Sequence, residues 1–347
     1  MLTASENMLE CIKGGAPDRY VNQYEALCFQ FYPFAYHSGN DLHRGDMNVV
    51  NAWGVTNSFP EDVPGLFPVH TQDKIVVKDI EEWQEYVHAP SLDFPDEEWE
   101  RIKADYDSTD KSRALNTVFI APGIFEQIHH LCSMENALVY YLTNPDEIHE
   151  LVNYLADWEM ALAEGICDRL HPDVLLHHDD WGSELNSFLR PELFAEFFVE
   201  PYKRIYGYYH DHGVELIVHH NDGFGANLVP YMIEMGIDVW QGCMCSNNVP
   251  SLVEKYGEYI TFMGAVDNKM VDYDGWTYQN SLDVARKTLD TFPNKHFIPC
   301  ITQGYPGSTF PGAYDSLRDA IDQVNSEKYG FSIEELKSAR LAPELLY

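Results

Sequence analysis

The chain has 347 residues, 45% of them hydrophobic and 14% aromatic, so it can bury a large core, and one α/β barrel of roughly 250 residues with additions accounts for the length. Its 56 acidic against 22 basic side chains give a formal charge of −34, which argues against nucleic acid or an anionic membrane as a partner and is compatible with a homodimer. No apolar run is long enough to span a membrane, the opening Met-Leu-Thr-Ala-Ser-Glu lacks signal-peptide regions, and the seven cysteines follow no disulfide-scaffold spacing, so a cytoplasmic protein with reduced thiols is expected.

Residues 3–14 read as a helix, capped by Thr3 or Ser5 and stopped by Gly14-Gly15. The run from Tyr20 to Tyr36 is extended and aromatic, and Phe29, Phe31 and Tyr36 within it are candidates to line an aromatic ligand's pocket. Residues 37–110 form an N-terminal elaboration over the barrel mouth, with poor periodicity, a short strand at Lys74–Val77, a short helix at Asp79–Tyr86 and a longer one from Asp96. Trp53-Gly54 is a wall or lid element within it.

From there the chain alternates. Strands are expected at 117–121, 174–179, 216–219, 237–241, 260–265 and 296–301, and helices at 125–142, 145–170, 190–210, 228–235, 249–256, 281–291 and 313–324. Strands separated by helices mean a parallel sheet, and this number of units favours a closed (β/α)8 barrel in a single domain over 1–347. No strand is followed by Gly-x-Gly-x-x-Gly or a phosphate-binding loop, so no dinucleotide fingerprint is present.

Barrel enzymes carry their reactive groups at strand C-terminal ends. Here those ends supply His177, His178, Asp179, Asp180, Trp181 and Glu184; then His219, His220, Asn221 and Asp222; then Gln241, Cys243 and Cys245; and last Cys300 with Gln303 and Tyr305. Strand residues alternate faces, so if Ile217 points inward then His219 and Asn221 do too, and His220 and Asp222 begin the loop. His219 is therefore the central expected ligand. With Glu184 and Cys300 it supplies three donors for a zinc ion with one open position, and His220, Asp222 and Cys243 are the alternates. Asp179 and Asp180, with His178 beside them, are the expected proton-handling groups. Trp181, Asn221 and Tyr305 join the aromatic run as substrate contacts.

The segments Asp179-Asp180-Trp181-Gly182-Ser183-Glu184, Arg190-Pro191-Glu192-Leu193-Phe194 and Pro201-Tyr202-Lys203-Arg204-Ile205, followed by Gly213 to Gly223 and Gly257 to Asp267, resemble the uroporphyrinogen decarboxylase superfamily. The decarboxylase carries an arginine-rich N-terminal segment, whereas Gln23 to Tyr36 contains no arginine. Trp53-Gly54, Asp79 to Trp83, Pro90 and Ile298 to Thr302 resemble the methyltransferase components of anaerobic aryl-ether O-demethylases. That resemblance implies transfer of a methyl group from a methoxylated aromatic substrate to the Co(I) of a separate corrinoid protein. The superfamily's zinc methyltransferases carry His-x-Cys at this strand end and a later cysteine. His219 matches the histidine, Asn221 stands where the first cysteine belongs, and Cys300 lies near the late one. Two other readings stand beside this one: a metal-independent decarboxylase of a carboxylated substrate, and a non-catalytic ligand-binding member of the superfamily.

Overall fold

The computed structural model describes residues 1–63, 65–301 and 308–340. Seven parallel strands, Leu27–Gln30, Leu115–Ile120, Val174–His178, Leu216–His220, Val239–Cys243, Thr261–Ala265 and Phe297–Cys300, pair in chain order to form a curled α/β barrel sheet with helices outside it. The expected eight strands are thus seven among the described residues.

The helix Ala4–Ile12 closes the N-terminal end of the sheet. Its Thr3–Glu6 capping box fixes the start, and it buries Ala4, Met8 and Cys11 against strand residues including Leu27, Leu115, Val174, Leu216 and Ile298. The Cys11 carbonyl accepts from His296 N at 2.9 Å and, beyond the helix, Gln23 Oε1 accepts from Ile301 N at 3.3 Å, so the chain before the first strand is tied to both ends of the last one.

Both faces of these strands are buried, as parallel sheets require. Alternate residues therefore sort into two cores. Val174, Leu176, Leu216, Val218, Val239 and Met263 pack inside the barrel, whereas Leu175, Ile217, Trp240 and Phe262 pack outward against the helices. Across the central pair the register places His177 beside His219 and His178 beside His220. By the same alternation His178 and His220 belong to the interior face, and His177 and His219 to the helix side.

Most expected elements fall within a few residues of the observed ones. The helix expected over 125–142 is two, Ile124–Cys132 and Met134–Thr143, divided at Ser133 (φ 74°), whose hydroxyl caps the second by accepting from Asn136 N. Lys74–Val77 is not a strand: the Val76 and Val77 amides instead donate to the Leu131 carbonyl. The N-terminal elaboration holds a small antiparallel sheet of Val49–Val50, Thr56–Ser58 and Phe67–Pro68. Its later part runs along the outer helices, with Trp158 Nε1 donating to Pro90 O at 2.9 Å, and His70 Nε2 meets the His130 carbonyl at 3.1 Å. Among the described residues no helix is long and apolar enough to cross a membrane.

Candidate metal centre at the barrel mouth

The carboxyl ends of the strands Val174–His178 and Leu216–His220 are locked together before any side chain is presented. Trp181 N and Gly223 N both donate to Asn221 Oδ1, at 3.1 and 3.2 Å, and Phe224 N donates to Ser183 O at 2.7 Å. The two loops approach so closely that a Cβ on Gly182 would lie 2.3 Å from Phe224 O. Asn221, expected as a substrate contact, is fully buried and braces this junction through its side-chain oxygen.

His219 lies apart from the side chains that converge at the mouth. The expected inward set began from Ile217, but Ile217 packs on the helices, and the strand presents Leu216, Val218 and His220 to the interior. With apolar residues on both faces, the sequence of a parallel strand carries no mark of which parity is inside. His219 lies against the helix Pro191–Asp211, stacked on Trp181 with ring centroids 3.9 Å apart. Its hydrogen bonds form a directed chain. If His219 Nε2 donates to the Asp179 carbonyl (3.2 Å), its Nδ1 accepts from Tyr206 OH (3.0 Å), and Tyr206 in turn accepts from His177 Nδ1 (2.8 Å). In that tautomer both ring nitrogens of His219 are engaged by the protein. Trp181, expected at the substrate, is buried on the same outer side against Phe194.

Asp179 is likewise turned away from the mouth. Its carboxylate accepts from Phe125 N (3.1 Å), Glu126 N (2.7 Å), Trp181 Nε1 (2.8 Å) and the Tyr202 hydroxyl, which clamps the first turn of the helix Ile124–Cys132. Burial and the nearby Glu126 push it up to about 7, while Tyr202, Trp181 and the Glu126 amide pull it down. Gly123 is required here, since a Cβ would come within 2.5 Å of Asp179 Cβ.

The other expected zinc ligands do not converge with His219. Glu184 is exposed and paired with Lys269 on the rim, in a cleft that also includes Met244, Cys245 and Asp267. Cys300 is buried inside the barrel, donates to the Ile301 carbonyl at 3.2 Å, and has Tyr24 and Gln241 as side-chain neighbours; burial holds its thiol far above the usual range. Cys243 is also fully buried, with its thiol raised by burial. Phe29 packs on Tyr24 at the edge of the interior core, Phe31 packs on Tyr36, and Tyr36 is half exposed under the Arg101 guanidinium. Tyr305 lies outside the described residues.

The strand ends converge on a different set. His178, Asp180 and His220 each offer a ligand atom, and these atoms lie within 4.8 Å of one another. The two imidazoles stack with centroids 4.3 Å apart and planes 16° apart. His178 Nδ1 is bonded to Glu126 Oε2 at 2.8 Å, and His220 Nδ1 to Gln241 Oε1. Both rings thus have Nδ1 oriented by an outer acceptor, leaving Nε2 for the mouth, as in carboxylate–histidine–metal arrangements. His220 Nε2 lies 3.8 Å from Asp180 Oδ1, too far for a hydrogen bond and close enough for both to reach one ion. Two imidazoles and a carboxylate with an open position fit zinc. Asp180 Oδ1 is itself held by Asp222 N at 2.9 Å.

The electrostatics separate these groups. Burial lowers His178, but Glu126, Asp180 and Asp222 outweigh it and lift it to about 10, so a metal would have to displace the Nε2 proton while Glu126 keeps the one on Nδ1. His220 is pushed down to about 4 by burial and by His178, so its ring is neutral. Burial and Asp180 raise Asp222 to about 7, against the opposing pull of His178.

Sequence reasoning missed Glu126, the acceptor for His178, because it sits near the start of a helix rather than at a strand end. It missed Gln241 as a positioning group because no local motif marks it. The Glu126-x-x-His129-His130 spacing, which places three donors on one helix face, was the available signal.

A structure described as a methyltransferase from Methanosarcina mazei is similar over 93% of this chain and 99% of its own, with a TM-score of 0.64 and 13% identity. A modular endo-β-1,4-mannanase from Cellulomonas fimi aligns over 99% of this chain and 79% of its own, at a TM-score of 0.40 and 14% identity. No curated protein matches the chain by sequence. The family model described as uroporphyrinogen decarboxylase matches residues 49–323, which span both strand ends of the mouth, and the chain belongs to that family.

Proposed function

We propose that this protein is a methyltransferase that moves a methyl group from a methoxylated aromatic substrate to the Co(I) of a corrinoid carried by a separate protein, with zinc held by His178, Asp180 and His220. The observation that carries this reading is the convergence of those three side chains at the carboxyl ends of the barrel strands. The fold's likeness to a methyltransferase is in keeping with it. A bound zinc supplies a Lewis acid for an ether oxygen.

The chain's own groups do the remaining work. Glu126 and Gln241 fix the two imidazoles, and the Asp222 amide fixes Asp180, so the donors are oriented before substrate arrives. Asp222, whose amide holds Asp180 at the mouth, is the proposed donor of the proton that the departing aryl oxygen takes as the oxygen–carbon bond breaks and the methyl carbon takes the cobalt electron pair. The groups facing His178, His220 and Asp222 are carboxylates and imidazoles, a poor receptor for a polycarboxylate, which disfavours the decarboxylase reading. The test is to mix the purified chain with a Co(I) corrinoid protein and a panel of methoxylated aromatics and follow the cobalt spectrum. Methyl-cobalt formation with at least one substrate is expected; none across the panel, or release of carbon dioxide without corrinoid, would reject the proposal.

A further inference from the structure

We infer that Glu126, His129 and His130 form a second divalent-cation site, of zinc-like preference, next to the first. Three observations carry it. The residues occupy positions i, i+3 and i+4 of the helix Ile124–Cys132, so they share a face, and their ligand atoms lie within 4.8 Å of one another. The helix is anchored where it matters, because the Phe125 and Glu126 amides are both bound by the Asp179 carboxylate. Glu126 also bonds His178 Nδ1 through Oε2 at 2.8 Å, so one carboxylate links the two ligand sets.

The two imidazoles suit the role. Their rings meet edge to face, with centroids 4.7 Å apart and planes 87° apart, so they present nitrogens from different directions. His70 holds the His130 carbonyl from the N-terminal elaboration at 3.1 Å, which further restrains the second ligand. Two imidazoles and a carboxylate select a borderline divalent cation over calcium or magnesium, whose shells are built of oxygen.

This inference does not depend on methyl transfer, and its readout is stoichiometry. The full chain, stripped of metal, is dialysed against micromolar zinc, and bound zinc per chain is measured alongside the circular dichroism spectrum. Two equivalents are expected for the wild type, one for His129→Ala and for the better size-matched His129→Gln, and one for His220→Ala. Two equivalents in both folded His129 variants would overturn the second site, as would a single wild-type equivalent that disappears in His220→Ala alone. A single equivalent lost only with His129 would support this site and reject the His178–Asp180–His220 reading instead.

Discussion

Replacing His219 and His220 separately by alanine distinguishes a strand residue that holds the fold from its neighbour that serves the site. His219 is fully buried and makes two hydrogen bonds, to Tyr206 and to the Asp179 carbonyl, besides stacking on Trp181. Each bond contributes about 1 kcal/mol and the aromatic contact about 1 kcal/mol. The dry cavity left behind adds roughly 1–2 kcal/mol, so His219→Ala should cost about 4 kcal/mol. His220 makes one side-chain hydrogen bond, to Gln241, stacks on His178, and is 7% exposed at the barrel mouth. Its replacement should cost about 2 kcal/mol, half as much. Urea unfolding at unchanged slope reads the stabilities, and zinc content reads the site. Folded His219→Ala should lose the most stability and keep its zinc, whereas His220→Ala should lose about half as much stability and one equivalent of zinc. A stable His219→Ala that had lost its zinc would refute the assignment of strand faces.

Asp222→Asn should remove the pH dependence of methyl transfer near neutrality: in the wild type the rate should fall as pH rises through about 7, because the proton donor is then spent, and stopped-flow rates between pH 5 and 9 read the difference. Gly123→Ala should destabilise by roughly 2 kcal/mol or more, measured by thermal unfolding, because the added methyl meets Asp179 and the Tyr202 hydroxyl at the helix start. His210 is raised to about 9 by its hydrogen bond to Asp238, so its stabilisation is full below about pH 6.5 and is lost as pH rises through 9. His210→Gln should flatten that part of the stability–pH curve in urea titrations, and an unchanged slope would count against the pairing.

The alternation of strands and helices was readable because the breaks are chemical: Pro191 opens one helix in its first turn, Gly236 ends another in a left-handed conformation, and Thr3 caps the first. The mouth was readable as a place, since polar residues follow each apolar strand. Which of two adjacent histidines enters the barrel was not, because Ile217 and Val218 are equally buried on opposite faces. The same ambiguity paired Asp179 with Asp180 as acids, although one clamps a helix and the other faces the open end. Glu126, His129 and His130 lie between strands in sequence and join the site only through the packing of their helix.

The most direct test is a single-turnover reaction of Co(I) corrinoid protein with a methoxylated aromatic substrate, comparing wild type with folded His220→Ala. Methyl-cobalt should form in the wild type and form roughly 100-fold or more slowly in the variant. Equal rates in the two proteins, or no methyl-cobalt in either, would contradict it.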